Sequence, residues 1–161
     1  MDEQQMLSSS SSSILSPKKY DVFLSFQSDD MHLTFASHLY KALSRKEIKT
    51  FINVQLEKGD EISTTLIEAI KDSYISIVIF SKNYASSKWC LNELSTIMKC
   101  KKVQNQIVLP VFHDIDPSHV RKQIGSYEQA FAIHKKDPRC HQWRKDLTAV
   151  ANIAGFYSKN R

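Results

Sequence analysis

The stretch YISIVIF, at residues 74–80, decides the fold of this chain. Its apolar side chains stand at both odd and even positions, so a strand formed here would bury both of its faces. A continuous apolar strand of this kind is typical of the centre of a parallel sheet that helices cover on both sides. We therefore expect residues 74–80 to form a central strand, with the rest of the chain folding around it.

Strands and helices are predicted to alternate on either side of this segment. Four further strands are indicated by β-rich or apolar runs: residues 20–26, 48–52, 106–112 and 153–157. Apolar residues at helical spacing predict helices in four regions: around Phe35, Leu39 and Leu43, at 62–70, at 86–101, and in pieces from 118 to 153. This alternation predicts an α/β fold with a parallel sheet of about five strands and helices on both faces.

Single residues refine this layout. Ser86 or Ser87 is expected to cap the third of these helices. Asp116, which is followed by proline and serine, is typical of a turn and a helix start. Pro110 has no backbone N–H to donate, so its strand is expected to lie at a sheet edge or to contain a bulge.

The composition is that of one soluble globular domain. The chain has 161 residues, of which 42% are hydrophobic and 24% are charged, and this is enough to bury a core. The serine-rich residues 1–17 are predicted to form a flexible tail. Residues 18–161 are predicted to form a single domain.

The charge, the cysteines and the apolar runs narrow the compartment and the partners. A net charge of +5 is spread over the chain without Arg-Gly runs or interleaved aromatic residues, which argues against nucleic-acid binding. Three cysteines without CxxC spacing favour a reducing compartment. Because the longest apolar run is too short to cross a bilayer, we expect a cytoplasmic protein with no membrane partner.

Ligands of parallel α/β sheets bind outside the carboxyl ends of the strands, and two familiar sites of that kind are excluded here. A receiver domain needs a phosphoacceptor aspartate at the end of the third strand, where this chain has Phe80, Ser81 and Lys82. A dehydrogenase-type dinucleotide site needs a glycine-rich turn after the first strand, but the chain contains only three glycines.

Cysteine and histidine chemistry is also disfavoured. Cys90 is predicted on the core-facing side of its helix, which indicates a structural thiol. His134, Cys140 and His141 offer three possible ligands at irregular spacing, whereas a structural zinc site is four-coordinate. We therefore expect ordinary surface histidines and no metal site in this region.

The motif SKWCLNEL, at residues 87–94, is left as the candidate site. Trp89 and Glu93 are four residues apart, so they share one face at the start of a helix. One interpretation is a half-buried tryptophan beside a solvated surface charge. The other is a pocket in which the ring stacks on a flat ligand and the carboxylate contacts a sugar.

Four segments, in order and at the right spacing, resemble the plant Toll/interleukin-1 receptor (TIR) domain of intracellular disease-resistance receptors. They are YDVFLSF at 20–26, SHLYKAL at 37–43, IVIFSKNYASSKWCLNEL at 77–94 and VLPVFHDIDPSHVRKQIGSY at 108–127. The resemblance implies a flavodoxin-like fold. Family members carry a further helix after the last strand, which this chain is expected to lack, so we interpret it as a TIR-only protein or as part of a longer receptor.

The resemblance further implies an NAD⁺ hydrolase of plant innate immunity. Such a domain cleaves the nicotinamide–ribose bond once it is assembled and releases ADP-ribose-type signals. Glu93 matches the catalytic glutamate of the family, and Trp89 matches the aromatic residue that packs against the nucleotide. NAD⁺ is then the substrate, and no cofactor is expected.

The same resemblance implies further residues around the nucleotide. They are Gln27, Ser28, His32, Lys58 and Gly59. After the first strand the family usually has Arg-Gly-Glu-Asp-Thr-Arg, whereas this chain has Gln-Ser-Asp-Asp-Met-His. Two basic positions are thereby replaced, and we expect a lower affinity for the dinucleotide.

Self-association is a final implication of the resemblance. Ser37 and His38 match a Ser-His pair that lies at a symmetric helix-to-helix contact between protomers. The expected partners are therefore NAD⁺, further copies of the chain and other TIR domains. The alternative function is a catalytically weak TIR–TIR interaction module that joins or modulates receptor assemblies.

Overall fold

Five parallel strands form one sheet in the computed structural model, which describes residues 17–28, 35–52 and 62–158. In chain order they are β1 (Tyr20–Ser25), β2 (Thr50–Ile52), β3 (Ser73–Phe80), β4 (Ile107–His113) and β5 (Phe156–Ser158). Their order across the sheet is β2-β1-β3-β4-β5, and each neighbouring pair is parallel. This is the strand order of a flavodoxin-like sheet, with β3 at its centre, so the expected fold class is confirmed.

Helices lie on both faces of this sheet. Within the described residues they are α1 (Phe35–Arg45), α2 (Thr64–Lys71), α3 (Lys88–Gln104), α4 (Pro117–Lys122), α5 (Ser126–Ile133) and α6 (Cys140–Ala151). The apolar side chains of α1 pack with Ile77 and Ile79 on one face. The other helices belong to a larger core with Val78 and Phe80 on the opposite face, so β3 is buried from both sides as its sequence predicts.

None of the helices within the described residues is both long and apolar enough to cross a bilayer.

Side-chain caps start two of the helices that follow the central strand. Ser87 accepts a hydrogen bond from the backbone N–H of Cys90 at 3.1 Å, at the start of α3. Asp116 accepts one from the N–H of Ser118 at 2.8 Å, at the start of α4, and this bond lowers the pKa of the Asp116 carboxyl. Both caps agree with the sequence, and the choice between the two serines falls on Ser87.

The ends of several elements differ from the predicted ones. The strand expected at 48–52 contains only Thr50–Ile52, and the helix expected to end at residue 101 continues to Gln104. α3 ends there because Asn105 adopts a left-handed conformation, with φ of 55°, and its N–H turns back to a carbonyl of the last turn. The last strand starts at Phe156 instead of residue 153, because a turn closes α6 first.

Pro110 corrects one expectation about the sheet. β4 is neither at the edge nor bulged at Pro110, since it lies between β3 and β5 and pairs Pro110 with Val78. The proline is tolerated because β5 is so short that its ladder with β4 begins only at Val111. Gly155 faces Pro110 where the segment leading to β5 approaches β4. A Cβ on Gly155 would lie 2.2 Å from the Pro110 carbonyl oxygen.

We expect Gly155→Ala to destabilise the docking of β5. The added methyl group would overlap a backbone atom that cannot move without shifting β4, and overpacking of this kind costs about 1–3 kcal/mol. Urea unfolding of the parent and the variant measures the loss. Ala154→Ser, a similar enlargement at the exposed neighbouring position, is the control, and equal stability of all three proteins would contradict the close approach.

Candidate active site

The carboxyl ends of β1 and β3 form the point at which the sheet reverses its strand order. In open parallel sheets, ligands bind in the crevice at such a point. The chain that leaves β3 enters a short 3-10 turn, Tyr84–Ser86, and then α3. Trp89 and Glu93 therefore stand in the first two turns of a helix that starts beside this crevice.

Glu93 is buried in this position. Only 3% of its surface is exposed, and it takes part in contacts with neighbouring groups. The interpretation of Glu93 as a solvated surface charge is therefore wrong. Trp89 is half-buried and packs against the larger core. A glutamate is almost never buried to this degree unless it is paired. Because Glu93 is a buried carboxylate on the helix that starts beside the crevice, it is the principal candidate for a functional group.

Tyr84 connects the end of β1 to the start of α3. Its side chain is fully buried, and its hydroxyl donates to the backbone carbonyl of Cys90 at 3.2 Å. The Oγ of Ser25 lies 2.9 Å from the same hydroxyl. A phenol has a single proton to give, so Ser25 must be the donor in the second bond. The two hydrogen bonds fix the distance between the end of β1 and α3, the helix that carries Glu93.

Burial and nearby groups shift the pKa of Tyr84. Burial raises the pKa of Tyr84 well above its ordinary value, and the nearby Cys90 and Glu93 raise it further. The Tyr84 hydroxyl therefore keeps its proton at neutral pH and remains a donor.

Cys90 makes a second connection between β1 and α3. Its thiol donates to the carbonyl of Phe26 at 3.6 Å, and the side chain is buried as expected for a structural thiol. Gln27 and Ser28 follow Phe26 directly, so they leave β1 beside the first turn of α3. Gln27 is half-buried and Ser28 is exposed, and both lie on the same rim as Trp89.

The remaining predicted residues either lie outside the described ranges or belong to the helix on the other face of the sheet. His32, Lys58 and Gly59 lie outside the described residues and stay predictions. Ser37 and His38 lie on α1, half-buried and exposed respectively. Since α1 and α3 pack on opposite faces of the sheet, the predicted interface and the predicted catalytic glutamate are separated by the sheet itself.

His134 is not the surface histidine that the sequence predicts. It is buried, and its Nε2 lies 2.8 Å from the carbonyl oxygen of Ala85. His141 is exposed, and Cys140 is half-buried on α6. Across residues 17–28, 35–52 and 62–158, no three histidine, cysteine or acidic side chains gather in a way that could hold a metal ion.

Sequence reasoning missed Tyr84, Ser25 and the burial of Glu93. The burial had a visible signal, because Glu93 lies three residues after Cys90 and four before Ile97, inside the apolar stripe of its own helix. The only signal at Ser25 is a small polar residue within the apolar run at 20–26. Nothing in the local pattern distinguishes Tyr84 from other loop tyrosines, since its partner Ser25 is 59 residues away in the chain.

The strand order, with a buried carboxylate at the switch point, defines a flavodoxin-like α/β domain with a candidate ligand site. The chain belongs to the TIR domain family, whose profile matches residues 19–161. The match covers the whole sheet and every helix described above.

The chain is similar to several plant disease resistance proteins. Disease resistance protein RPV1 of Vitis rotundifolia is 45% identical over 152 residues, which cover 93% of this chain and 11% of that protein. TMV resistance protein N of Nicotiana glutinosa is 49% identical over 156 residues, which cover 93% of this chain and 13% of that protein. The chain therefore spans only about an eighth of the length of these relatives.

A solved structure has the same fold. It contains the TIR domains of the activated Roq1 resistosome directly recognizing the pathogen effector XopQ, and it superimposes with a TM-score of 0.81. The two sequences are 46% identical, over 86% of this chain and 87% of that chain.

Proposed function

We propose that this TIR domain hydrolyses NAD⁺ at the nicotinamide–ribose bond, with Glu93 as the catalytic residue. The observation that carries the proposal is the burial of Glu93 in the first turns of the helix that starts beside the carboxyl ends of β1 and β3. A buried carboxylate in that position is poorly screened by water, so it interacts strongly with a positive charge placed next to it.

The chemistry of NAD⁺ cleavage suits a site with one carboxylate. Glycosidases usually use two carboxylates, because one of them must protonate the leaving group. In NAD⁺ the leaving group is a cationic pyridinium that departs as neutral nicotinamide, and no general acid is needed. What remains is a ribosyl group with oxocarbenium character, and water completes the hydrolysis to ADP-ribose. Glu93 would stabilise the developing positive charge electrostatically.

The residues around Glu93 supply the binding surface in this proposal. Trp89 offers a half-buried ring on which a flat base can stack. Gln27 and Ser28 provide polar groups at the same rim, and neither can replace the charge of an arginine toward phosphate. The proposal therefore includes weak binding of the dinucleotide, to which His32, Lys58 and Gly59 would contribute.

We propose a role in plant immune signalling through self-assembly. The names of the similar proteins refer to disease resistance, and the similar solved structure is a resistosome. A catalytically weak TIR–TIR interaction module is the second candidate. It is favoured by the exposure of His38 on α1, which leaves that helix accessible to another copy.

Incubation of the purified, concentrated protein with NAD⁺ tests the first function. Chromatography should reveal nicotinamide and ADP-ribose-type products in equal amounts, increasing with time. If no nicotinamide forms at any protein concentration, the hydrolase proposal is wrong and the interaction module remains.

We expect His38→Ala to lower the specific activity several-fold at a given protein concentration. A two-fold contact repeats the same patch on both protomers, so one substitution removes two contacts. Sedimentation measures association, and the NAD⁺ assay measures activity over the same concentration range. His141→Ala, at another exposed histidine, is the control. If the parent and His38→Ala are both monomeric and equally active, α1 is not an interface.

A further inference from the structure

Three side chains between the end of α5 and the start of α6 contact the segment that leads to Glu93. We call them the brace, and they are His134, Asp137 and Trp143. Their partners are Ala85, Lys88 and Asn92, respectively. These partners follow one another at intervals of about one helical turn, so the brace holds the turn and the start of α3 along their whole length.

His134 is the innermost member of the brace. It is 4% exposed, and its ring meets those of Phe131 and Trp143 edge-on, with centroids 5.9 and 5.6 Å away. A carbonyl oxygen can only accept, so the Nε2 atom that faces Ala85 must carry the proton and donate it. The Nδ1 atom is buried and has no hydrogen-bond partner among the described residues. The hydrogen bond to Ala85 is thus the directional contact that the ring makes within this part of the chain.

The other two members hold the first turns of α3. The carboxylate of Asp137 lies 3.2 Å from the Nζ of Lys88, the first residue of the helix. The indole N–H of Trp143 donates to the Oδ1 of Asn92 at 3.2 Å. Asn92 directly precedes Glu93, so this hydrogen bond also restrains the backbone next to the candidate catalytic residue.

The carbonyl that His134 holds belongs to the residue after Tyr84. Tyr84 in turn ties β1 to α3 beside Glu93. We propose that His134 is a positioning residue for Glu93, acting through the Ala85 carbonyl and the turn that contains Tyr84. The stabilisation of a developing cation depends on a carboxylate that is already in place, and for its kinetic test this inference rests on the proposed hydrolysis of NAD⁺.

Two substitutions separate positioning from packing. His134→Phe keeps an aromatic ring against Phe131 and Trp143 but removes the donor to Ala85. His134→Gln removes the ring but keeps an N–H at a comparable reach. If His134 only fills space, the phenylalanine variant should be active and the glutamine variant impaired. If His134 positions the turn, the order is reversed.

We expect His134→Phe to lower kcat roughly 10- to 100-fold with KM changed less than about twofold, because displacement of a catalytic group by about 1 Å is enough for such a loss. His134→Gln should recover most of the parent kcat. His141→Gln is the control at an exposed histidine of α6. Parent-like kcat in His134→Phe would overturn the proposal. Should that variant fail to fold, His134→Asn, whose amide is too short to reach Ala85, takes its place against His134→Gln.

A second measurement does not depend on turnover. The ¹³C chemical shift of a labelled Glu93 carboxylate reports its surroundings in the absence of NAD⁺. It should move in His134→Phe and stay near the parent value in His134→Gln. An unchanged shift in both variants would refute the positioning role. If the parent does not consume NAD⁺ but the shift responds as expected, the proposed hydrolysis fails while the positioning of Glu93 by His134 stands.

Discussion

Glu93→Gln is expected to reduce NAD⁺ hydrolysis by about 100-fold or more, a loss of the size seen when one preorganised electrostatic group is removed from an active site. Glutamine has almost the same shape as glutamate, so the substitution removes the negative charge and leaves the volume filled. The ribosyl cation would then form without a fixed anion beside it. The release of nicotinamide under saturating NAD⁺, per mole of folded protein, is the quantity to measure.

Glutamine is a better test of the charge of Glu93 than alanine is, because Glu93 is buried. Alanine would leave a cavity in the first turns of α3, and any loss of activity would be mixed with a loss of stability. Glu68→Gln is a matched control, since Glu68 lies exposed on α2. Equal turnover by Glu93→Gln and the parent would remove Glu93 from the catalytic role.

Trp143→Ala is expected to lower the free energy of unfolding by about 3–5 kcal/mol, the usual cost of truncating a buried tryptophan. Trp143 is 1% exposed, and its ring packs against His134 and carries the guanidinium of Arg139 at 4.8 Å from its centroid. The truncation would also leave the amide oxygen of Asn92 without the indole N–H. Urea unfolding followed by far-UV circular dichroism measures the change.

The second tryptophan of the chain provides the comparison. Trp89 is only half-buried, so Trp89→Ala should cost less stability than Trp143→Ala. In the proposed site it should instead raise KM for NAD⁺, because the stacking surface is lost. A Trp143→Ala protein as stable as the parent would show that the core around α6 does not depend on this ring.

The sheet could be predicted from the sequence because its strands are encoded locally. The run at 74–80 is apolar on both faces, and this places it at the centre of a covered sheet whatever the rest of the chain does. Pro110 was misjudged for the opposite reason. Its tolerance depends on the length of a neighbouring strand that begins at Phe156, and a local pattern carries no information about such a neighbour.

The candidate site was predictable only in part. Trp89 and Glu93 could be placed on one helical face from their spacing alone. The contacts that hold them could not, because Ser25 and Tyr84 are 59 residues apart in the chain, and His134 and Ala85 are 49 residues apart. Such pairs are brought together by the packing of whole elements, and the residue types give no hint of the partner.

The placement of α1 and α3 on opposite faces of the sheet has a genetic consequence. A copy with Glu93→Gln would lack the carboxylate and still present an intact α1 to its neighbours. Expressed together with the parent chain, such copies would enter mixed assemblies. They would lower the fraction of protomers in each assembly that carry the Glu93 carboxylate. Under the proposed function, the Glu93→Gln allele would therefore be dominant-negative, and adding His38→Ala to the same copy would make it recessive.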